Sequence, residues 1–491
     1  MSIEDYLTRP PVPEDDANLP EVHEPVDTRW YSRMEQYGTF EDFAYLDGAG
    51  WRREEEKQKF LAGETENPML DYPKIRPEFL HNRLVNLVML REEIEAEEQD
   101  PYVKSEYLAK INHRLAEATM LQATLRGDME QFDECSKFIY GDPSPEIFSY
   151  FVHRRREQAK KLLESPDEFK RAAAQDFLDS FPDVEKPDLE PVPAEFVKKV
   201  GEQVHTELRE VWGVDAKEGE REYASEEVLE LVEELLQKLE AEGWRARLAD
   251  RGGFSISQEE RAVNIPRNKR YKEAALYELL THEILTHVAK RVIGARTNIQ
   301  LYQIGSDDYD IGEEGLTTLR QSALFGKYKE YAGGENYVGI SVARGFERQE
   351  DGSIQATHPR DFRETFDMMK KYSKVGLLID NPKISEQDLE KQSKDAAWTR
   401  CVRTFRGTDC KTKGVCLNRD LFYADGNIKM WRLFQENGEN SIPYTMAISM
   451  IGKTNPTNPQ TLKAGSHFNL MMVRFQRDAT NAEVQALRHP Q

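Results

Sequence analysis

Cysteine is scarce in this chain of 491 residues, which carries four: Cys135, Cys401, Cys410 and Cys416. So few cannot staple a chain of this length through disulfides, and the count fits a reducing compartment. Three of them fall within sixteen residues, but their x8 and x5 gaps differ from the CxxC spacing of structural zinc sites, so they read as ordinary thiols. Basic charge is also in deficit, with 67 Lys and Arg against 89 Asp and Glu and a formal net charge of −22. Nucleic-acid affinity needs cations that neutralise phosphate. Short basic runs such as Arg154, Arg155 and Arg156 occur without an extended stripe, which argues against nucleic acid as a partner. No apolar run approaches the roughly 18 residues of a membrane span. The opening MSIEDYLTRP lacks both the basic region and the apolar stretch of a signal peptide. The expectation is a cytoplasmic protein without a membrane partner.

What is present is enough apolar material for a core, at 38 % of residues, in a chain long enough for two or three sub-structures. Residues 1–66 are acidic and rich in Pro, show no sustained period, and read as a flexible arm. From Phe79 to Ile94 and from Val103 to Leu125 apolar residues recur at three- and four-residue steps, predicting two long helices joined near Asp100-Pro101. Ser144-Pro145-Glu146 marks another helix start. Ser165-Pro166-Asp167-Glu168 marks a further one, with Ser165 as N-cap. Four prolines between 181 and 194 indicate a linker or a surface crossing. Helices are then expected at 195–212 and 226–242, the second closed by Gly243. The period next changes to two, predicting strands at Trp244–Leu248, Phe254–Ser257 and Ala262–Ile265, with a turn at Arg251-Gly252-Gly253. A helix from Lys272 to Ile293, ended by Gly294, follows at once.

That last helix carries His282-Glu283-Ile284-Leu285-Thr286-His287, an HExxxH sequence. Two imidazoles and a third ligand suit a zinc site that keeps an open position. On an undistorted α-helix, however, residues five apart point about 140° away from each other. The pair can chelate only if the helix widens by one residue, as a π-bulge does. Downstream, Gly312-Glu313-Glu314-Gly315-Leu316 opens a helical stretch, and Asp307, Asp308 and Asp310 precede it. Spacing alone leaves the third ligand open among these carboxylates.

HEILTH followed by EEGL resembles the microtubule-associated tyrosine carboxypeptidases and their bacterial QEGLA-motif relatives. The resemblance extends to Asn67-Pro68-Met69-Leu70-Asp71-Tyr72, to Ile139-Tyr140-Gly141-Asp142-Pro143-Ser144, to Arg403-Thr404-Phe405-Arg406-Gly407-Thr408 and to Arg419-Asp420-Leu421-Phe422-Tyr423-Ala424-Asp425-Gly426. It covers roughly residues 67 to 470. It implies one zinc ion per chain held by His282, His287 and Glu314, with Glu283 as the proton acceptor and donor. The family usually has Gly where this chain has Leu285, Ala at Thr317 and Lys at Arg419. A carboxypeptidase must grip a free C-terminal carboxylate, for which Arg406 and Arg419 are candidates, with Arg403 and Arg320 behind them; Tyr423 is a candidate for contacting substrate. The strand at Ala262–Ile265 offers an edge to an extended peptide.

These readings predict an α+β, mainly helical fold: a zincin-like catalytic part over 191–478 with a small mixed sheet on the zinc helix, a helical part over 67–190 before it, and a tail at 479–491. The expected function is a zinc metallocarboxypeptidase acting on a peptide or protein C-terminus, with an amino- or dipeptidyl-peptidase, or a regulatory protein that retains the metal, as alternatives. Ala447 to Thr454 fits a loose phosphate-loop pattern, but two β-branched Ile occupy the loop and Asn-Pro steps follow, so nucleotide binding is set aside.

Overall fold

Capping chemistry fixes the longest helix. Asp100 accepts from the backbone N–H of Tyr102 at 2.9 Å and of Val103 at 3.1 Å, Pro101 takes the first helical position, and Gly127 stops the run at φ 70°. Between those stops Pro101–Arg126 forms 26 residues of helix that is buried nearly all round. The computed structural model describes residues 25–36, 45–46, 50–72, 75–250 and 252–467. The start of the predicted arm, Arg251 of the predicted turn and everything after His467, including the 479–491 tail, lie outside the described residues.

The fold is α+β and mainly helical, with three small sheets among the described residues. Two are antiparallel pairs, Glu222–Ala224 with Arg270–Lys272 and Phe346–Arg348 with Ile354–Ala356. The third is mixed. Its central strand, Ala262–Pro266, runs parallel to Arg245–Ala249 and antiparallel to Ser255–Ser257. Val263 and Ile265 on the central strand are wholly buried, so Ala262–Ile265 is not the exposed edge expected from its sequence; Ser255–Ser257 is. An apolar strand with partners on both sides has no free backbone groups to offer a peptide.

Other boundaries also moved. The helix predicted from Ser165 begins at Glu168, and the Ser165 hydroxyl accepts from the Asp167 N–H at 3.3 Å in a turn before the helix. The helix predicted to reach Gly243 ends at Lys238, where Leu239 and Ala241 turn into the core and Glu240 takes φ 50°. Within the predicted arm, Thr28–Gln36 and Gly50–Leu61 are helices. Trp30 and Met34 pack against Leu87, Leu90 and Tyr107, and Phe60 meets Phe362 and Phe366 edge-on. Asp27, fully buried, accepts from the Tyr107 hydroxyl at 2.7 Å and from the amides of Gln300 and Leu301 at 2.8 and 2.9 Å. Few anchors among many charges hide such a segment from a periodicity reading, although each anchor buries a large apolar surface.

The main core runs through both predicted parts, taking Phe148 and Phe177 from before residue 190 and Val200, Leu316 and Trp431 from after it. Among the described residues no helix is long and apolar enough to cross a membrane.

Candidate metal centre

The helix that bears HExxxH changes its winding at the motif. Glu273–His282 is α-helical, Glu283–Val288 is a π-helix and Ala289–Gly294 returns to α. Bonding from i to i+5 puts residues five apart on one face. The imidazoles of His282 and His287 accordingly lie 5.2 Å apart between ring centroids. Ile284, Leu285 and Val288 are buried in the main core on the other side of this turn, so Leu285 fills a core position. The Thr286 hydroxyl donates to the Thr281 carbonyl at 2.7 Å, giving the widened turn a further tie.

Glu314 arrives from the helix Tyr309–Leu324, which packs against Leu421–Asn437 at two glycines. A Cβ on Gly315 would stand 2.3 Å from the Gly426 carbonyl oxygen, and one on Gly426 would stand 2.2 Å from that of Ile311. Only glycine permits that approach, which explains why Gly315 and Gly426 occur in separate sequence segments yet act as a pair. The approach sets Glu314 beside the π-turn: its Oε1 is 3.9 Å from His287 Nε2, and one donor atom from each of His282, His287 and Glu314 lies within 4.8 Å of the others. A point central to atoms so spaced is about 2.8 Å from each, and contraction to the roughly 2.1 Å of zinc bonds needs less than about 1 Å per donor. Two imidazoles and one carboxylate are the donor set of a catalytic zinc site, so these residues fit that ion.

The other nitrogen of each ring is already engaged. His282 Nδ1 lies 2.8 Å from Gln321 Oε1, and His287 Nδ1 lies 2.5 Å from Glu313 Oε1. Such contacts fix the rings, as the outer partners of metal-bound imidazoles do. Glu313 in turn faces Lys453 Nζ at 3.2 Å. Burial pushes the Glu313 carboxyl up, but Lys453, His287 and Lys290 outweigh it and hold the group down at about 2. For His287 burial lowers the imidazole and the Glu313 contact, with Glu314 and Glu283, raises it to about 9. His282 goes the other way, brought down to about 4 by burial and by His287. Glu314 is raised by burial against the pull of His287.

A cleft of about 450 Å³ opens over the cluster, lined by Glu283, His287, Glu313, Glu314, Arg419 and Lys453 and walled by the edge strand Ser255–Ser257. Arg419 stacks over Phe422 at 4.8 Å. The Tyr423 hydroxyl is pushed up to about 12 by burial and by the Glu314 carboxylate, against Arg419. Arg406 does not line the cleft. Its loop turns toward the segment at 67–72, where the Gly407 N–H donates to the Tyr72 hydroxyl at 2.7 Å. Arg403 is held in a two-pronged pair by Asp420, and Arg320 is fully buried beside Glu207 at 3.3 Å. Sequence reasoning missed Gln321, Glu313 as a ring anchor, and Lys453. Gln321 was findable, since it lies seven residues after Glu314 and so on one helical face. Lys453 sat in the segment set aside as a phosphate loop. There Gly452 and Lys453 follow the helix Ile442–Ser449, and the turn packs on Gly312, where a Cβ would lie 2.5 Å from Asn455 Cα.

No protein-family model, curated protein or solved structure matches the chain. Two pairs of the sequence segments that stand out touch: the Gly407 N–H donates to the Tyr72 hydroxyl, and the Gly141 carbonyl accepts from Asn418 Nδ2 at 2.5 Å just before Arg419.

Proposed function

We propose that the chain is a zinc-dependent metallopeptidase of zincin type, most simply a carboxypeptidase working in the cytoplasm on a peptide or protein C-terminus. The observation that carries this reading is the π-turn, because it serves to bring His282 and His287 to one point beside Glu314, with Glu283 in the cleft above. A zinc ion held by His282, His287 and Glu314 would supply a Lewis acid that polarises the scissile carbonyl and makes water more acidic. Glu283 accepts the proton of the attacking water and returns it to the leaving amine. Ser255–Ser257 offers unpaired backbone groups to an extended substrate. Arg419 presents a planar fork suited to a terminal carboxylate, and the Tyr423 hydroxyl, which does not line the cleft but feels the charges of Glu314 and Arg419, is the candidate hydrogen-bond donor to substrate.

Metal analysis and one pair of peptides test the reading. Gently purified protein is expected to hold close to one zinc per chain and to cleave a peptide with a free C-terminus while sparing its amidated twin. Zinc below about 0.2 per chain that does not rise on addition removes the metallopeptidase. Equal cleavage of both peptides removes the carboxypeptidase and leaves the amino- or dipeptidyl-peptidase.

A further inference from the structure

A cavity of about 30 Å³ that shares no lining residue with the metal cleft is walled by Glu106, Ser306, Asp307, Asp308, Gln460 and Thr461, with Ala109 and Asn458 closing it. Three segments meet there: the helix Pro101–Arg126, the loop before Tyr309–Leu324, and the start of Pro459–His467. The Ser306 hydroxyl, on a residue 3 % exposed, has no hydrogen-bond partner among the described residues. Its backbone is engaged elsewhere, the N–H donating to the Lys453 carbonyl at 3.0 Å and the carbonyl accepting from Lys110 at 3.1 Å. Buried hydroxyls are ordinarily satisfied, so this one calls for a partner within the cavity.

The acids around that hydroxyl are unequally provided for. Asp307 faces His113 at 2.9 Å. Asp308 Oδ2 accepts from the side-chain amides of Asn455 and Asn458, each at 2.9 Å. Glu106, 6 % exposed, has no cation beside it, because Lys110 one helical turn on is directed to the Ser306 carbonyl. Burial raises the Glu106 carboxyl to about 8, Asp308 and Asp307 add to the rise, and the Tyr302 hydroxyl opposes it. Gln460 donates through its amide nitrogen to Ser105 at 2.8 Å, which leaves its oxygen as an acceptor.

We infer that this cavity is a second cation site, for a hard divalent ion of the calcium class, held by the carboxylates of Glu106 and Asp308 and the Ser306 hydroxyl, with the Gln460 and Thr461 oxygens completing the protein's share. Calcium takes about six to eight oxygens of mixed kind at about 2.3–2.6 Å in a yielding geometry. The volume admits one water-sized particle, and an ion, unlike a water molecule, also offsets the repulsion between neighbouring carboxylates. These acids do not gather within the 4.8 Å that unites the zinc donors, as suits a wider shell filled out by hydroxyl, amide and water. Imidazole takes no part, since His113 faces Asp307, and an all-oxygen set favours calcium over zinc. Asp308 directly precedes the helix that carries Glu314, and Asn455 follows Lys453 by two residues, so an ion here ties together two segments that build the metal cleft. The inference goes beyond the metallopeptidase reading and does not depend on it.

The test is calorimetric titration of calcium into the full chain loaded with zinc, in buffer freed of calcium by ion exchange. One calcium per chain is expected, with a Kd on the order of 10⁻⁵ M and magnesium bound at least about tenfold more weakly, because its smaller octahedral shell fits such a set poorly. Glu106→Gln, which keeps the shape and removes one charge, is expected to weaken calcium at least about tenfold, and Ser306→Ala about threefold. Glu314→Gln, which takes a ligand from the zinc centre, is expected to leave calcium binding unchanged. Absence of calcium binding means that the cavity holds water only and overturns the inference. Binding that survives both Glu106→Gln and Ser306→Ala marks an adventitious ion only and overturns it too, as does loss of calcium in Glu314→Gln, which would merge the two sites. If Glu106→Gln does not fold, Ser306→Ala decides alone. Failure of the metallopeptidase reading shows up separately, as absent zinc or no cleavage of any peptide.

Discussion

Two of the buried clusters of ionisable side chains in this molecule are built on opposite principles. In the first, on Pro101–Arg126, Arg114 Nη1 donates to Glu117 at 2.6 Å, His113 meets Asp307 at 2.9 Å and Glu117 at 3.6 Å, and Lys110 donates to the Ser306 carbonyl at 3.1 Å. Every charge there faces an opposite charge or a carbonyl. In the second, one donor atom from each of His282, His287 and Glu314 converges on a common centre, while Lys453 and Glu313 pair with each other at 3.2 Å on the cleft wall. A buried group that is already satisfied has a structural part to play, whereas donor atoms that converge on one point are the arrangement the proposed metal site calls for. That contrast separates function from stability where composition cannot, since both clusters contain His, Glu and a basic residue.

Substitutions that treat the clusters alike sharpen the difference. The largest effect is expected at the cleft: Glu283→Gln should retain zinc but lose turnover by at least about 10³-fold, whereas Glu314→Gln should lose the zinc as well. Parallel metal analysis and peptide cleavage check this, and loss of zinc from Glu283→Gln would place that residue among the ligands.

Next comes Glu117→Ala, which removes the carboxylate that Arg114, at 1 % exposure, donates to, and is expected to cost about 3–5 kcal/mol in urea unfolding. The folded fraction should keep its zinc stoichiometry. Parallel loss of metal would show that the clusters are coupled through Tyr309, whose ring lies between Lys110 at 4.7 Å and Lys453 at 4.5 Å.

The smallest effect is a pH dependence. Burial lowers the His113 imidazole, but the contacts with Asp307 and Glu117 prevail and raise it to about 9. A pKa above the unfolded value of about 6.5 means that its stabilisation is complete below pH 6.5 and fades as the pH rises through 9. The stability difference between wild type and His113→Gln should thus shrink by on the order of 2–3 kcal/mol across that window, read from urea midpoints. A constant difference would mean that the ring stays neutral in the folded protein.

How much of this was legible in the sequence depends on the range of the forces involved. The α+β, mainly helical class, the long helices and the three strands before the HExxxH helix followed from period and caps. The need for a widened turn followed from the five-residue spacing of two histidines, and the turn is there. What failed was whatever depended on a distant neighbour. Ala262–Ile265 has the same alternation whether it lies at an edge or in the middle of a sheet. Arg403, Arg406 and Arg419 look equivalent as guanidiniums near one motif, yet only Arg419 lines the cleft, because Asp420 takes Arg403 and the Gly407 turn carries Arg406 toward Tyr72. Trp30, Met34 and Phe60 gave too few apolar points to show that their helices dock.

By itself the sequence determined which residues have the chemistry to hold a metal, His282, His287 and a carboxylate near Gly315, because ligand chemistry and helical pitch are local properties. Tertiary packing decided which carboxylate reaches them, which strand faces the cleft, and which cations line it. The physical reason is that two glycines, Gly315 and Gly426, more than a hundred residues apart in the chain, allow two helices to touch. Contact of that kind sets the position of Glu314, and no spacing within either helix encodes it.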